Sequence, residues 1–140
     1  MITYEKVLVL KNIPFFTEAS ELALSDLIAV CDEHTVKAGE EIAHAGEENK
    51  YLFMILSGNV HVLDEQDVLL TEIGPRQVFG DTTVMSPAIL PYRAVAQTQT
   101  TFLRINGDQL YRMMALHPSL AKGFIGELSK RLRQVQIKNM

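Results

Sequence analysis

The chain is poor in the residues that would announce a secreted, membrane-spanning or nucleic-acid-binding protein. A single cysteine, Cys31, occurs in 140 residues. One thiol cannot close an internal disulfide, which fits a reducing, cytoplasmic setting. No uninterrupted apolar stretch approaches the roughly 18 residues that a membrane-crossing helix needs. The short run Val7–Leu10 is broken on either side by Glu5, Lys6 and Lys11 and does not read as a signal peptide. Basic residues are not in excess: the formal net charge is −4, which argues against a general nucleic-acid-binding surface. Repeats, low-complexity segments and linkers are missing. So are a nucleophile–base motif and a Walker-type loop, and the expectation is no catalysis. His34, His44, His61 and His117 are scattered, with no two at metal-ligand spacing, so no metal site is expected.

What is present is an ordinary globular composition, 47% hydrophobic and 21% charged. That length and composition suit one domain spanning residues 1–140 with its own core. Leu24, Leu27, Ile28 and Cys31 recur at helical spacing and predict a helix over residues 20–31, with Cys31 packing in the core. From about Val36 to Ile105 the pattern changes to short strands. Tyr51–Leu56 reads as a strand buried on both faces. Val60 and Val62 alternate with polar neighbours. Asp64–Asp67 is a polar break before Val68–Leu70, the signature of a hairpin. Gly74-Pro75 marks a turn, and Ala94–Ile105 supplies further strands. Many short strands at close spacing imply a sandwich or barrel.

Helices return after Asn106-Gly107-Asp108, a capping segment. Leu110, Met113 and Met114 share one helical face, and Pro118 opens a second helix with His117 outside it. In that last helix Ile125, Leu128, Leu132 and Val135 alternate spacings of three and four. This seam suits either packing on the barrel or pairing with a second copy in a homodimer. Lys130, Arg131, Arg133 and Lys138 read as a solvated basic face.

Three glycine-centred stretches carry the functional signal: Ala38-Gly39-Glu40-Glu41-Ile42, Ile55-Leu56-Ser57-Gly58-Asn59-Val60 and Val78-Phe79-Gly80-Asp81. The last runs into Thr82-Thr83-Val84, read as the start of a helix whose amide groups would face a phosphate. Asp81 would then either bind ligand or cap that helix.

This order of motifs, followed by two helices joined at His117-Pro118-Ser119-Leu120, resembles the cyclic nucleotide-binding domain over nearly the whole chain. The family includes the sensor modules of the catabolite activator protein and of protein kinase A regulatory subunits. The resemblance implies an antiparallel jelly-roll β-barrel, roughly residues 34–105, with an N-terminal helix and two C-terminal helices, roughly residues 107–137. It also implies a phosphate-binding cassette between Phe79 and about Val95. By that resemblance Phe79, Gly80, Asp81, Thr82, Thr83 and Arg93 are the ligand-binding residues, and cyclic AMP or cyclic GMP is the ligand.

The chain departs from the family pattern in that cassette. Asp81 replaces a glutamate that bonds the ribose. The phosphate-binding arginine position falls near Leu90, and the available arginine, Arg93, lies twelve residues after Asp81. Arg76 and Gln77 stand where many members carry Gly-Asp. The prolines of Ser86-Pro87-Ala88-Ile89-Leu90-Pro91 stiffen the loop. Three readings stay open. One is a cyclic nucleotide-like sensor. The second is a degenerate module that dimerises or binds a protein partner without nucleotide. The third is a pocket retuned for another small anion or an apolar ligand. The chain stops before the helix-turn-helix that follows in the family's transcription factors, so no direct DNA binding is expected.

Overall fold

The computed structural model describes residues 1–140. Its strands are β1 (Asp32–Val36), β2 (Glu41–Ala43), β3 (Glu48–Asn49), β4 (Tyr51–Ser57), β5 (Val60–Leu63), β6 (Leu69–Ile73), β7 (Val78–Phe79), β8 (Ala88–Ile89), β9 (Arg93–Ala96) and β10 (Thr100–Asn106). They form a four-stranded sheet ordered β1-β10-β4-β7, a second ordered β2-β9-β5-β6, and the small pair β3-β8. All pairings are antiparallel. This is the expected jelly-roll architecture.

Strand β4 divides the core in two. Leu52, Met54 and Leu56 point toward the helices, whereas Phe53 and Ile55 point into the barrel. Strand β10 repeats the division, with Leu103 and Ile105 on the helical side and Phe102 inside. Side chains alternate across a strand, so a strand between two apolar compartments must be apolar throughout. That is why Tyr51–Leu56 shows no alternation.

Two helices, not one, precede the barrel: α1 (Thr3–Lys11) and α2 (Glu21–Val30), separated by a 3-10 turn at Pro14–Phe16. α1 hid in the sequence because it buries only Val7 and Leu10. α2 matches its expected span, opened by Ser20, whose Oγ accepts from the Ala23 amide at 3.1 Å. Asn106 Oδ1 likewise accepts from the Gln109 amide at 2.9 Å and opens α3 (Gly107–Leu116). Pro118 begins α4 (Pro118–Lys138), and His117 between the helices has φ −130° and ψ 86°. α4 lies so close to the 3-10 turn that a Cβ on Gly123 would stand 2.6 Å from the Phe15 carbonyl oxygen. Phe124, beside it, packs its ring 4.7 Å from that of Phe15. None of these helices is long and apolar enough to cross a membrane.

Candidate cyclic nucleotide site

The cassette begins where β7 ends. Phe79 is buried and stacks on Phe53 of β4 at 4.3 Å with the rings 6° apart, so it is a wall of the barrel core. Gly80 follows with φ +84°, and a Cβ there would lie 2.2 Å from the Tyr51 carbonyl oxygen. Only glycine combines that backbone conformation with that approach.

The expected helix at Thr82 is absent. Residues 81–83 form a single turn instead. The Gly80 carbonyl accepts from both the Thr83 amide (3.2 Å) and the Val84 amide (2.9 Å). Those two N–H groups point back into the turn, not toward a ligand. Pro87 supplies no amide and disfavours helical geometry at Ser86, so the turn does not propagate. Thr83 is buried: its hydroxyl donates to the Gly80 carbonyl at 3.3 Å and accepts from Asn49 Nδ2 at 2.9 Å. Asn49 also donates to the Tyr51 carbonyl at 2.8 Å. This network fastens the cassette to the start of β4. Thr82 stays exposed.

With no helix to cap, Asp81 turns to α4. Its Oδ2 accepts from Arg131 Nη1 at 2.8 Å, and the Asp81 side chain is only 14% exposed. Arg131 is held in turn by Glu127 Oε1 at 3.2 Å and by the Phe15 ring, 4.7 Å from the guanidinium carbon. Arg131 is therefore no member of a solvated basic face. It clasps the C-terminal helix to the cassette.

Arg93 and Leu90 complete the picture at the far end of the loop. Leu90 is 3% exposed and belongs to the barrel core with Phe53, Phe79 and Phe102. Tyr92 packs against the same cluster, and its phenol is pushed above its ordinary pKa by burial and then by the Asp81 carboxylate. Arg93 is engaged by two carboxylates. Its Nη2 lies 2.7 Å and its Nε 3.1 Å from Asp67 Oδ1, and its Nη1 is 3.7 Å from Glu41 Oε2. Asp67 reaches it from the β5–β6 hairpin, where it adopts φ 63°. Of the six residues expected to bind ligand, Phe79 ends β7 and Gly80, Asp81, Thr82 and Thr83 follow it directly into one turn. Arg93 is tied to the β5–β6 hairpin and β2 instead. Sequence reasoning missed Arg131 and Asn49. Arg131 had a signal, the i, i+4 spacing from Glu127, but its partner lies fifty residues away.

The family model "Cyclic nucleotide-binding domain" matches residues 33–117, more than half of the chain. Among curated proteins, patatin-like phospholipase domain-containing protein 6 of Homo sapiens is 33% identical over 92 residues, covering 62% of this chain and 7% of that protein. The CRP-like cAMP-activated global transcriptional regulator of Mycobacterium tuberculosis is 27% identical over 100 residues, covering 69% of this chain and 45% of that protein. The chain thus spans less than half the length of these relatives. Among solved structures, the Thermus thermophilus catabolite activator protein superposes with a TM-score of 0.81 at 20% identity, covering 89% of this chain and 61% of that one. With that fold and the family match, the chain belongs to the cyclic nucleotide-binding domain family.

Proposed function

We propose that this chain is a regulatory module of cyclic nucleotide-binding architecture whose cassette is closed by its own side chains. In this reading it acts through its C-terminal helix without taking a cyclic nucleotide. The observation that carries it is the engagement of Arg93, the cassette's one arginine, by Asp67 and Glu41. A cyclic phosphate needs a charge-assisted, often bidentate guanidinium contact. To supply it, Arg93 would have to leave both carboxylates. The buried Leu90 and the inward-bonded amides of Thr83 and Val84 support the same reading. The family that matches is a binding module, not an enzyme family, and no catalytic role is assigned.

The output we propose is a homodimer through α4. Ile125, Leu132 and Val135 are 63%, 58% and 54% exposed on that helix, a row of apolar groups without cover. Leu128 packs partly into the core and anchors the helix to its own chain.

The cyclic nucleotide-sensor reading is favoured by Gly80 and Asp81, which keep their places beside the barrel. Titration calorimetry with cyclic AMP and cyclic GMP decides between the two. Our reading expects no binding heat with either nucleotide at millimolar concentration, and the same for Arg93→Ala. Micromolar binding that Arg93→Ala abolishes would restore the sensor.

A further inference from the structure

Arg104 has no part in the closed cassette, yet its side chain faces the barrel. On β10 its Cα pairs with Phe53 of β4, and it lies two residues from Phe102, so all three share the barrel side of the sheet. Its guanidinium carbon stands 4.3 Å from the Tyr51 ring centroid, and Nη2 is 3.6 Å from Asp32 Oδ2. Its Nε is buried and has no hydrogen-bond partner. Buried donors without acceptors are rare and call for an explanation, one of which is a place beside them where an acceptor from outside the chain can sit.

Such a place exists. Arg104 borders a cavity of about 220 Å³ with Ile42, Phe53 and Leu90 as apolar walls and with Glu47 and Glu48 also lining it. At ~30 Å³ for a water molecule, the cavity has room for about seven waters. That is the scale of a small metabolite such as valine or leucine and below that of a cyclic nucleotide. The charges narrow the ligand further. The Arg104 guanidinium, already 3.6 Å from Asp32, shares this lining with His44 and with the exposed Glu47 and Glu48. Groups of both signs thus border the cavity, and a ligand carrying both charges answers more of them than a bare anion or a bare cation.

We propose that this cavity binds a small zwitterion of the aliphatic amino-acid class. The carboxylate pairs with Arg104 and the ammonium with Glu47 and Glu48, while the side chain lies against Ile42, Phe53 and Leu90. This site goes beyond the closed-cassette reading and stands or falls separately, because nucleotide titration tests that one and amino-acid titration tests this one.

The experiment is calorimetry on the full chain with L-leucine and L-valine. Isovalerate serves as the carboxylate without ammonium, and isoamylamine as the amine without carboxylate. Leucine or valine should bind, and each single-charge analogue should bind at least about tenfold more weakly. Arg104→Met keeps a long apolar stem over Tyr51 but removes the guanidinium. It should weaken leucine binding by about tenfold or more while the melting temperature stays level or rises, since an unpaired buried donor is gone. Arg104→Lys retains the charge without the planar fork and should also weaken leucine binding. Glu47→Gln with Glu48→Gln should weaken leucine and strengthen isovalerate. The proposal is overturned by no heat from either amino acid at millimolar concentration. Unchanged leucine affinity in both Arg104 variants overturns it as well.

Discussion

Arg76 and Cys31 show how single residues set stability here. Arg76 is the third residue of the turn Gly74-Pro75-Arg76-Gln77, closed by the Gln77 amide on the Gly74 carbonyl at 3.2 Å. Its φ of 68° is the left-handed value that a type II turn demands at that position, where glycine is the unstrained choice. Arg76→Gly should therefore raise stability by about 0.5 kcal/mol, the relieved strain less the extra chain entropy of glycine. Urea unfolding checks the sign, and a loss of stability contradicts the strain assignment. Cys31 behaves as the core packing group its helical spacing indicated, although it sits at the cap of α2 and not within it. Its thiol is pushed up to about 12, mainly by burial and secondarily by Asp32. The unfolded thiol ionises near 9.0, so between about 9 and about 12 the unfolded chain loses a proton that the folded chain keeps. Stability then falls as pH rises through that window, by at most about 1.4 kcal/mol per pH unit from this group. Cys31→Ala should make the alkaline limb of a pH–stability profile shallower, and an unchanged limb contradicts it.

At the level of elements the decisive contact is between the cassette turn and α4. Asp81 and Arg131 are a partly buried ion pair, so removing one partner exposes the other's charge in a low-polarity setting. Asp81→Asn and Arg131→Met should each destabilise by about 1–2 kcal/mol, and the double variant by less than the sum. Strict additivity in that double-mutant cycle would show that the two side chains do not cooperate. The contact was not legible in the sequence, because ion pairing between a turn and a helix so distant in the chain leaves no periodic trace. The failed expectation of a helix at Thr82 has a nearer cause. Asp81-Thr82-Thr83 does read as a capped helix start, but Pro87 comes before a second turn can form. By contrast, the strands, the β5–β6 hairpin and the α3–α4 elbow were readable, since alternation, a polar break and His117-Pro118 each act locally. α4 also supplies a test of assembly. Leu132 is exposed, so Leu132→Asp should leave the fold intact while halving the mass in light scattering. A monomeric mass for both proteins removes the dimer.

For the whole molecule, the fold follows from two apolar compartments sharing β4 and β10, and this much the sequence patterns and the family resemblance together conveyed. The state of the site was another matter. Phe79, Gly80 and Asp81 kept the family's order, so a ligand pocket was the natural expectation. Whether Arg93 faced that pocket depended on Asp67 and Glu41, which approach it only after the β5–β6 hairpin and β2 have folded around β9. Side-chain partnerships of this kind are decided by tertiary packing, and they separate a module that senses nucleotide from one that has closed its own cassette.

The most direct test of that closure is the melting temperature with and without cyclic AMP or cyclic GMP at millimolar concentration. A ligand that binds the folded state at a hundred times its dissociation constant stabilises it by about 2.7 kcal/mol, enough to move the transition by several degrees. A closed cassette predicts superimposable melting curves for both nucleotides. A rise of several degrees with either one, lost in Arg93→Ala, would contradict it.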